Sequence, residues 1–351
     1  MTLEIKLLIF LIYTLFLSLA MHRFFVIRAE RYKIKKANVS AERWSSQTKP
    51  ILGGITFYGA FLFSVLNYVF FFDASSLLTS QVFGILIIIT ISFMMGLADD
   101  MLNTPPGFKF IFQFLSGIIL IYSGIYIQIF EAQWLNYLLT LFWVVGIMNS
   151  VNMLDNMDAI TTSVSCTILL GAIVVLFVTQ PFSGVLLVIS IGALASLLSF
   201  LYYNWNPSKM YMGDNGSQFL GALLAIIGIQ VFWNGSQMSS HPVLYPFLLA
   251  FMAFIIPISD TTTVTINRLL RGKSPFIGGR DHTTHHLSYL GLSDKIVARI
   301  FMLINLLFVG FSTYIILFPT KIAFSVWILG ILALFVLIVL YSITKISKPK
   351  E

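Results

Sequence analysis

The sequence predicts an all-α fold: one polytopic helical membrane domain, residues 1–351, with about 11 transmembrane helices. Three observations carry that prediction. Hydrophobic residues make up 58% of the chain and charged residues 10%, where a soluble domain carries roughly 25% charged residues; mean hydropathy is +0.91. Apolar runs of about 20 residues, matched to the thickness of a bilayer core, recur between short polar breaks. Basic residues gather on alternate breaks, as the positive-inside rule requires of a multi-pass protein.

The runs begin near Ile5, Ile51, Gln81, Lys109, Leu138, Ile160, Gly184, Gln218, Leu244, Arg299 and Ile322. The first, Ile5 to Met21, reads as a retained span and not as a secretory signal. Glu4 and Lys6 cancel the positive charge such a signal carries, and the basic cluster follows the run instead of preceding it. Placing the N-terminus outside makes segments 22–50, 99–108, 151–158, 204–215, 265–298 and 344–351 cytoplasmic. All but Lys6 and Lys321 of the 21 basic residues then lie in or beside them. The net charge of +7 is thus a matter of topology and of attraction to anionic headgroups, with no case for nucleic acid. Cys166 is the single cysteine, so no internal disulfide can form.

Acidic residues are scarcer and more telling. Asp99, Asp100, Asp155, Asp158, Asp214, Asp260 and Asp281, half of the chain's 14 acids, fall at or near the cytoplasmic span ends. A carboxylate at a helix centre costs about 2.5–3.5 kcal/mol to insert, so span ends are where a membrane protein keeps them. Seven on one side call for a counter-charge, and a hard divalent cation held by carboxylate oxygen is the natural one.

Four segments carry the chemistry. Gly96-Leu97-Ala98-Asp99-Asp100 ends the third run with two adjacent carboxylates. Asn149 to Asp158 sets Asn149, Asn152, Asp155 and Asp158 three residues apart, a fan of polar groups around a helix end. Tyr211-Met212-Gly213-Asp214-Asn215-Gly216-Ser217 brackets an Asp with glycines just before a span, where a helix start offers N–H groups to an anion. The long loop carries Arg268, Arg271, Lys273 and Arg280, then Asp281-His282-Thr283-Thr284-His285-His286, a set suited to a diphosphate.

Taken in order with Lys49-Pro50-Ile51-Leu52-Gly53-Gly54, these segments resemble the polyprenyl-phosphate N-acetylhexosamine-1-phosphate transferase family over most of the chain. The resemblance implies a Mg²⁺-dependent enzyme, with Mn²⁺ as a substitute metal, that moves a sugar 1-phosphate from a UDP-N-acetylhexosamine to a polyprenyl phosphate and releases UMP. It implies Asp214 and Asp100 as metal ligands, and Asp99 and Asp100 acting at the lipid phosphate. His285 and His286 match the end of the family's histidine motif as catalytic candidates. Asn152, Asp155, Asp158, Lys49 and Arg280 are implied in substrate binding.

The family usually has glycine where this chain has Asn156 and Ala159, and Thr283 stands where many members have a further histidine, with His282 adjacent. Within the family, the branch using UDP-N-acetylglucosamine ranks above the phospho-MurNAc-pentapeptide transferases, because the Lys49-to-Gly54 segment is not Thr-rich and the last loop lacks a triple histidine. From another class, a secondary transporter would show repeats and mid-membrane ionisable groups. The expected setting is a bacterial inner membrane with the site facing the cytoplasm; whether two copies form a homodimer is left open.

Overall fold

Every apolar run becomes helical. The computed structural model describes residues 2–31, 49–72, 79–179, 184–235, 243–276, 278–319 and 323–347. Its helices are α1 (Leu3–Arg31), α2 (Gly53–Phe71), α3 (Ser80–Leu102), α4 (Pro106–Tyr122), α5 (Gln133–Leu154), α6 (Ile160–Thr179) and α7 (Val185–Asn204). They continue as α8 (Gly213–Ile227), α9 (Leu244–Ala253), α10 (Ile255–Leu270), α11 (Thr283–Tyr289), α12 (Asp294–Leu317) and α13 (Ala323–Ile346). Among the described residues eight helices are long and apolar enough to cross a bilayer, nine if the bent pair α9–α10 is one span, while α4 is a shorter apolar helix. Length and composition therefore carry eight or nine crossings and do not establish the expected eleven. Lys33, Lys35, Lys36, Arg43, Lys321, Lys348 and Lys350, used above for topology, lie outside the described residues.

Burial grades the helices from centre to rim. In α8 and the turn that follows it, 94% of the most apolar stretch is buried inside the protein, against 22% in α13. So α8 is the axis, with α3, α5 and α2 packed around it, and α13 faces lipid. At its far end α8 runs into a π-helical turn, Gly228–Trp233, and Trp143 Nε1 donates to Ala225 O at 3.1 Å there. A tight side chain partner of that kind satisfies a carbonyl that regular helix pairing would otherwise use.

Between α9 and α10 the chain bends by 90°. Backbone groups released at such a break need partners in a membrane protein. Asn305 of α12 sits against it, with Oδ1 accepting from Ile256 N at 3.5 Å and Nδ2 donating to Thr167 Oγ1 at 2.8 Å.

The connection from α3 to α4 sets up the site. Asn103 adopts a left-handed conformation, φ 52°, and its N–H closes the helix on Asp99 O at 2.8 Å. Pro105 and Pro106 cannot continue α3 but suit the first positions of a new helix. The reversal returns Lys109, one turn into α4, to the Asp pair that ends α3.

Candidate active site

Four helix ends converge: the end of α3, the start of α4, the end of α5 and the start of α8. A parallel bridge between Ile51 and Tyr211 brings in the chain before α2. Tyr211 N donates to Pro50 O at 3.1 Å, Gly53 N to Tyr211 O at 3.0 Å and Gly54 N to Met212 O at 2.9 Å. This zips the Lys49-to-Gly54 motif onto the segment that opens α8. Gly213, at φ +78°, has no room for a side chain: a Cβ would meet Ile51 Cγ2 at 2.4 Å and Asp100 Oδ2 at 2.8 Å.

Lys109 lies at the centre. Its ammonium donates to Asp214 Oδ2 at 2.8 Å and pairs with Asp99 Oδ2. Asp99 Oδ1 accepts from Thr104 N at 2.8 Å and from Thr104 Oγ1 at 2.6 Å, so the chain just after α3 holds that carboxylate still. Asn152 Nδ2 donates to Asp214 Oδ1 at 3.1 Å and to Ser217 Oγ at 2.8 Å. Of the two carboxylates on Lys109, Asp214 is 29% exposed and Asp99 7%, which makes Asp214 the one an incoming ligand reaches. Sequence reasoning counted Lys109 only as an inside charge. Its place one turn after a Pro-Pro start, ten residues past Asp99, was the available signal.

Asp100 turns out differently from the expected metal ligand. Its Oδ1 accepts from Asp214 N at 3.1 Å, and its Oδ2 from Asn215 N at 3.0 Å and from Asn215 Nδ2 at 2.6 Å. The anion at the start of α8 is therefore the protein's own carboxylate, locking α3 to α8 through charge-assisted bonds worth about 1.5–3 kcal/mol each. The carboxylate that shares the Lys109 ammonium with Asp214 is that of Asp99.

The fan along the end of α5 also divides. Asn152 belongs to the carboxylate cluster, and Asp155 is the half-buried C-cap of α5. Asp158, expected to touch substrate, is buried and fully engaged: Ser208 N and Oγ donate to it at 3.0 and 2.8 Å and Asn206 Nδ2 at 3.1 Å. Lys49, likewise expected at substrate, lies 3.7 Å from Asp158 and donates to Ser208 Oγ at 3.1 Å. This pair fastens the loop after α7 to the chain before α2.

The histidine loop forms a second cluster, tied to the chain just after α5 by Thr284 Oγ1 donating to Asn156 Oδ1 at 2.6 Å. Asp260 of α10 accepts from Thr283 N and Oγ1 at 2.9 and 2.6 Å and lies 2.8 Å from His282 Nδ1, capping α11. Thr283 thus supplies the bonds that hold the loop. His286 Nδ1 is 2.7 Å from Ser347 Oγ at the end of α13, an anchor and not a group facing the carboxylates. Arg268, a candidate for a diphosphate, forks onto Asp281 at 2.7 and 2.9 Å. Arg280 is exposed, and its carbonyl accepts from Tyr289 Oη at 2.9 Å.

Charge in this loop follows burial. Burial opposes ionisation of Asp281, but the Arg268 fork outweighs it and holds the carboxyl below its usual range. Burial, reinforced by the charge of His282, pushes His285 down to about 3, and burial also lowers His286. Neutral imidazole at position 285 has a consequence for stability. Below the ordinary histidine value the unfolded chain gains a proton that the folded chain refuses, so stability falls as pH drops from about 6.5 towards 3. His285→Gln should flatten the decline of Tm between pH 6.5 and 4.5; an unchanged slope would place the imidazole's proton elsewhere.

Ala159 carries the strain that the family's glycine would avoid. It stands at φ +67°, buried, with its N–H donating to Asn204 Oδ1 at 3.1 Å, whereas Asn156 has no positive φ. A left-handed alanine costs roughly 1–2 kcal/mol. Ala159→Gly should therefore raise Tm by a few degrees, less the entropy glycine adds to the unfolded chain; a lower Tm would show that the Ala methyl contributes more by packing than the backbone loses.

Helix ends that assemble two carboxylates around Lys109, in a multi-pass helical bundle, define a charged candidate site where the spans end. Residues 82–232, which hold α3 to α8, match the family described as glycosyl transferase family 4. The chain is 28% identical over 301 residues (83% of this chain, 79% of the relative) to the Bacillus subtilis protein named "Probable undecaprenyl-phosphate N-acetylglucosaminyl 1-phosphate transferase". It is 38% identical over 200 residues (51% and 58%) to the phospho-N-acetylmuramoyl-pentapeptide-transferase of Streptococcus equi. A protein of the same name from Streptococcus pneumoniae is 29% identical over 289 residues (74% and 82%). From α3 to α8 the chain is thus similar to glycosyl transferase family 4, within a multi-pass helical membrane protein.

Proposed function

We propose that the protein transfers N-acetylglucosamine 1-phosphate from its UDP-sugar to undecaprenyl phosphate at the cytoplasmic face of a bacterial inner membrane, releasing UMP. The observation that carries this reading is Lys109 held between Asp99 and Asp214 where four helix ends meet. An oxygen of the lipid phosphate forms a bond to the phosphorus nearer the sugar; the bond from that phosphorus to the bridging oxygen breaks, and UMP leaves with the oxygen. Such a reaction asks the protein for positioning and electrostatics more than for covalent chemistry.

The donor set fits Mg²⁺. Two carboxylate oxygens already converge on one cationic point, and among the described residues no group of three or more acidic, histidine or cysteine side chains forms a fuller cage. Mg²⁺ commonly takes one or two carboxylates, completing its shell with substrate phosphate and water. Asp214, with Asp99 behind it, would hold the ion, which when bound offsets charge on the diphosphate. Asn152 orients Asp214, Thr104 orients Asp99, and Lys109 balances their charge. Asp99 accepts from Thr104 and pairs with Lys109, and a phosphate's second pKa is about 6. Placing charge fits Asp99 better than removing a proton.

The test is UMP release by purified protein given undecaprenyl phosphate, Mg²⁺ and a panel of UDP-sugars. Release with UDP-N-acetylglucosamine is expected. Release confined to UDP-MurNAc-pentapeptide would move the chain to the branch of its streptococcal relatives, and release with no donor would sink the reading.

A further inference from the structure

Directly beneath the carboxylate layer lies a second polar layer on three of its four helices, α4, α5 and α8. Gln113 follows Lys109 by four residues on α4, Gln218 follows Asp214 by four on α8, and Asn149 precedes Asn152 by three on α5. These spacings stack each amide one helical turn from its charged or polar neighbour, on the same face. The amides meet: Gln113 Nε2 donates to Asn149 Oδ1 at 3.3 Å and to Gln218 Oε1 at 3.2 Å, and Asn149 Nδ2 returns a bond to Gln113 Oε1 at 2.8 Å. Gln113 and Gln218 are wholly buried, and Gln218 Nε2 has no hydrogen-bond partner.

We propose that Gln113, Asn149 and Gln218 are positioning residues for the site above them, fixing the rotation of α4 and α8 so that Lys109 falls between Asp99 and Asp214. As helix glue the layer is poorly made. Burying amides inside a bundle costs free energy unless each is bonded, and one donor here goes without a partner. Apolar side chains of similar volume would pack these helices as well or better. The reciprocal Gln113–Asn149 pair does what apolar packing cannot: it is directional. A ring of hydrogen bonds tolerates one rotation of α4, and Lys109 is carried by that same rotation.

The kinetic arm of the test rests on the proposed transferase reading; the labelling arm does not. Gln113→Met and Gln218→Met, made separately in the full chain, remove the directional bonds and keep volume. Acetylation of Lys109, followed by mass spectrometry with exposed Lys273 as internal reference, should rise by about threefold as the lysine escapes its carboxylates. In the UMP-release assay kcat should fall about tenfold with KM for both substrates nearly unchanged, while Tm holds or rises. Wild-type labelling of Lys109 overturns the proposal, as does raised labelling with wild-type kcat. A fall in Tm that tracks the lost activity also overturns it, because the triad would then be ordinary packing. If the wild-type protein releases no UMP from any donor, the transferase reading fails, and labelling with Tm still decides the role of the layer.

Discussion

Asp214→Asn is expected to lower Mg²⁺-dependent turnover by about 10³-fold while the protein stays folded. The amide keeps the shape of the side chain and can still accept from Asn152, whose Nδ2 lies 3.1 Å from Oδ1. It loses the charge at the more open of the two carboxylates on Lys109. Folding should survive because the start of α8 is held by Asp100, which binds the backbone N–H groups of residues 214 and 215 whatever side chain stands at 214. UMP release across a Mg²⁺ titration, read beside Tm, checks both halves. Near-normal Mg²⁺-dependent activity in the variant would transfer the metal to Asp99 and leave Asp214 a structural acid.

Lys109→Met should lower kcat by about 10²-fold and at the same time reduce the Mg²⁺ concentration needed for half-maximal activity. In the folded protein the ammonium occupies the Oδ2 atoms of both Asp99 and Asp214, the atoms a divalent cation would use. Removing it ends that competition and leaves two neighbouring carboxylates whose repulsion favours binding a cation. The fall in kcat follows because the lysine no longer shares in balancing charge on the transferring phosphates. A variant with wild-type kcat and wild-type Mg²⁺ dependence would mean that Lys109 stands aside once substrates bind. A higher Mg²⁺ requirement would mean that it helps build the metal site instead of competing for it.

These two variants also replace a division of labour that the sequence suggests and the geometry does not support. Read along the chain, Asn152 lies far from the Asp99-Asp100 pair and invites a separate role in substrate binding. In the fold, the amide of Asn152 donates to Asp214 and Ser217, so it belongs with the carboxylates. Asp99 and Asp100 look equivalent as neighbours, yet successive residues on a helix point about 100° apart. One faces Lys109 and the other faces the start of α8.

By itself the sequence determined the all-helical membrane architecture, because a bilayer core admits only closed backbone hydrogen bonding and marks each span by length and hydropathy. It also singled out Asp99, Asp214 and Asn152, since acidic and amide side chains are scarce in so apolar a chain and gather at the ends of its apolar runs, where they are kept more cheaply than at a helix centre. What it could not assign was which of those polar groups meet. Lys109 looked like one more cytoplasmic charge. Asp158, Lys49, Arg268 and His286 looked like ligand contacts, although their partners prove to be Ser208, Asp158, Asp281 and Ser347. Pairing depends on the rotation of each helix and on segments more than a hundred residues apart, as with Lys109 and Asp214. Only the tertiary packing around α8 fixes those rotations, because burial against specific neighbours, and not hydropathy, decides which face of each helix turns inward.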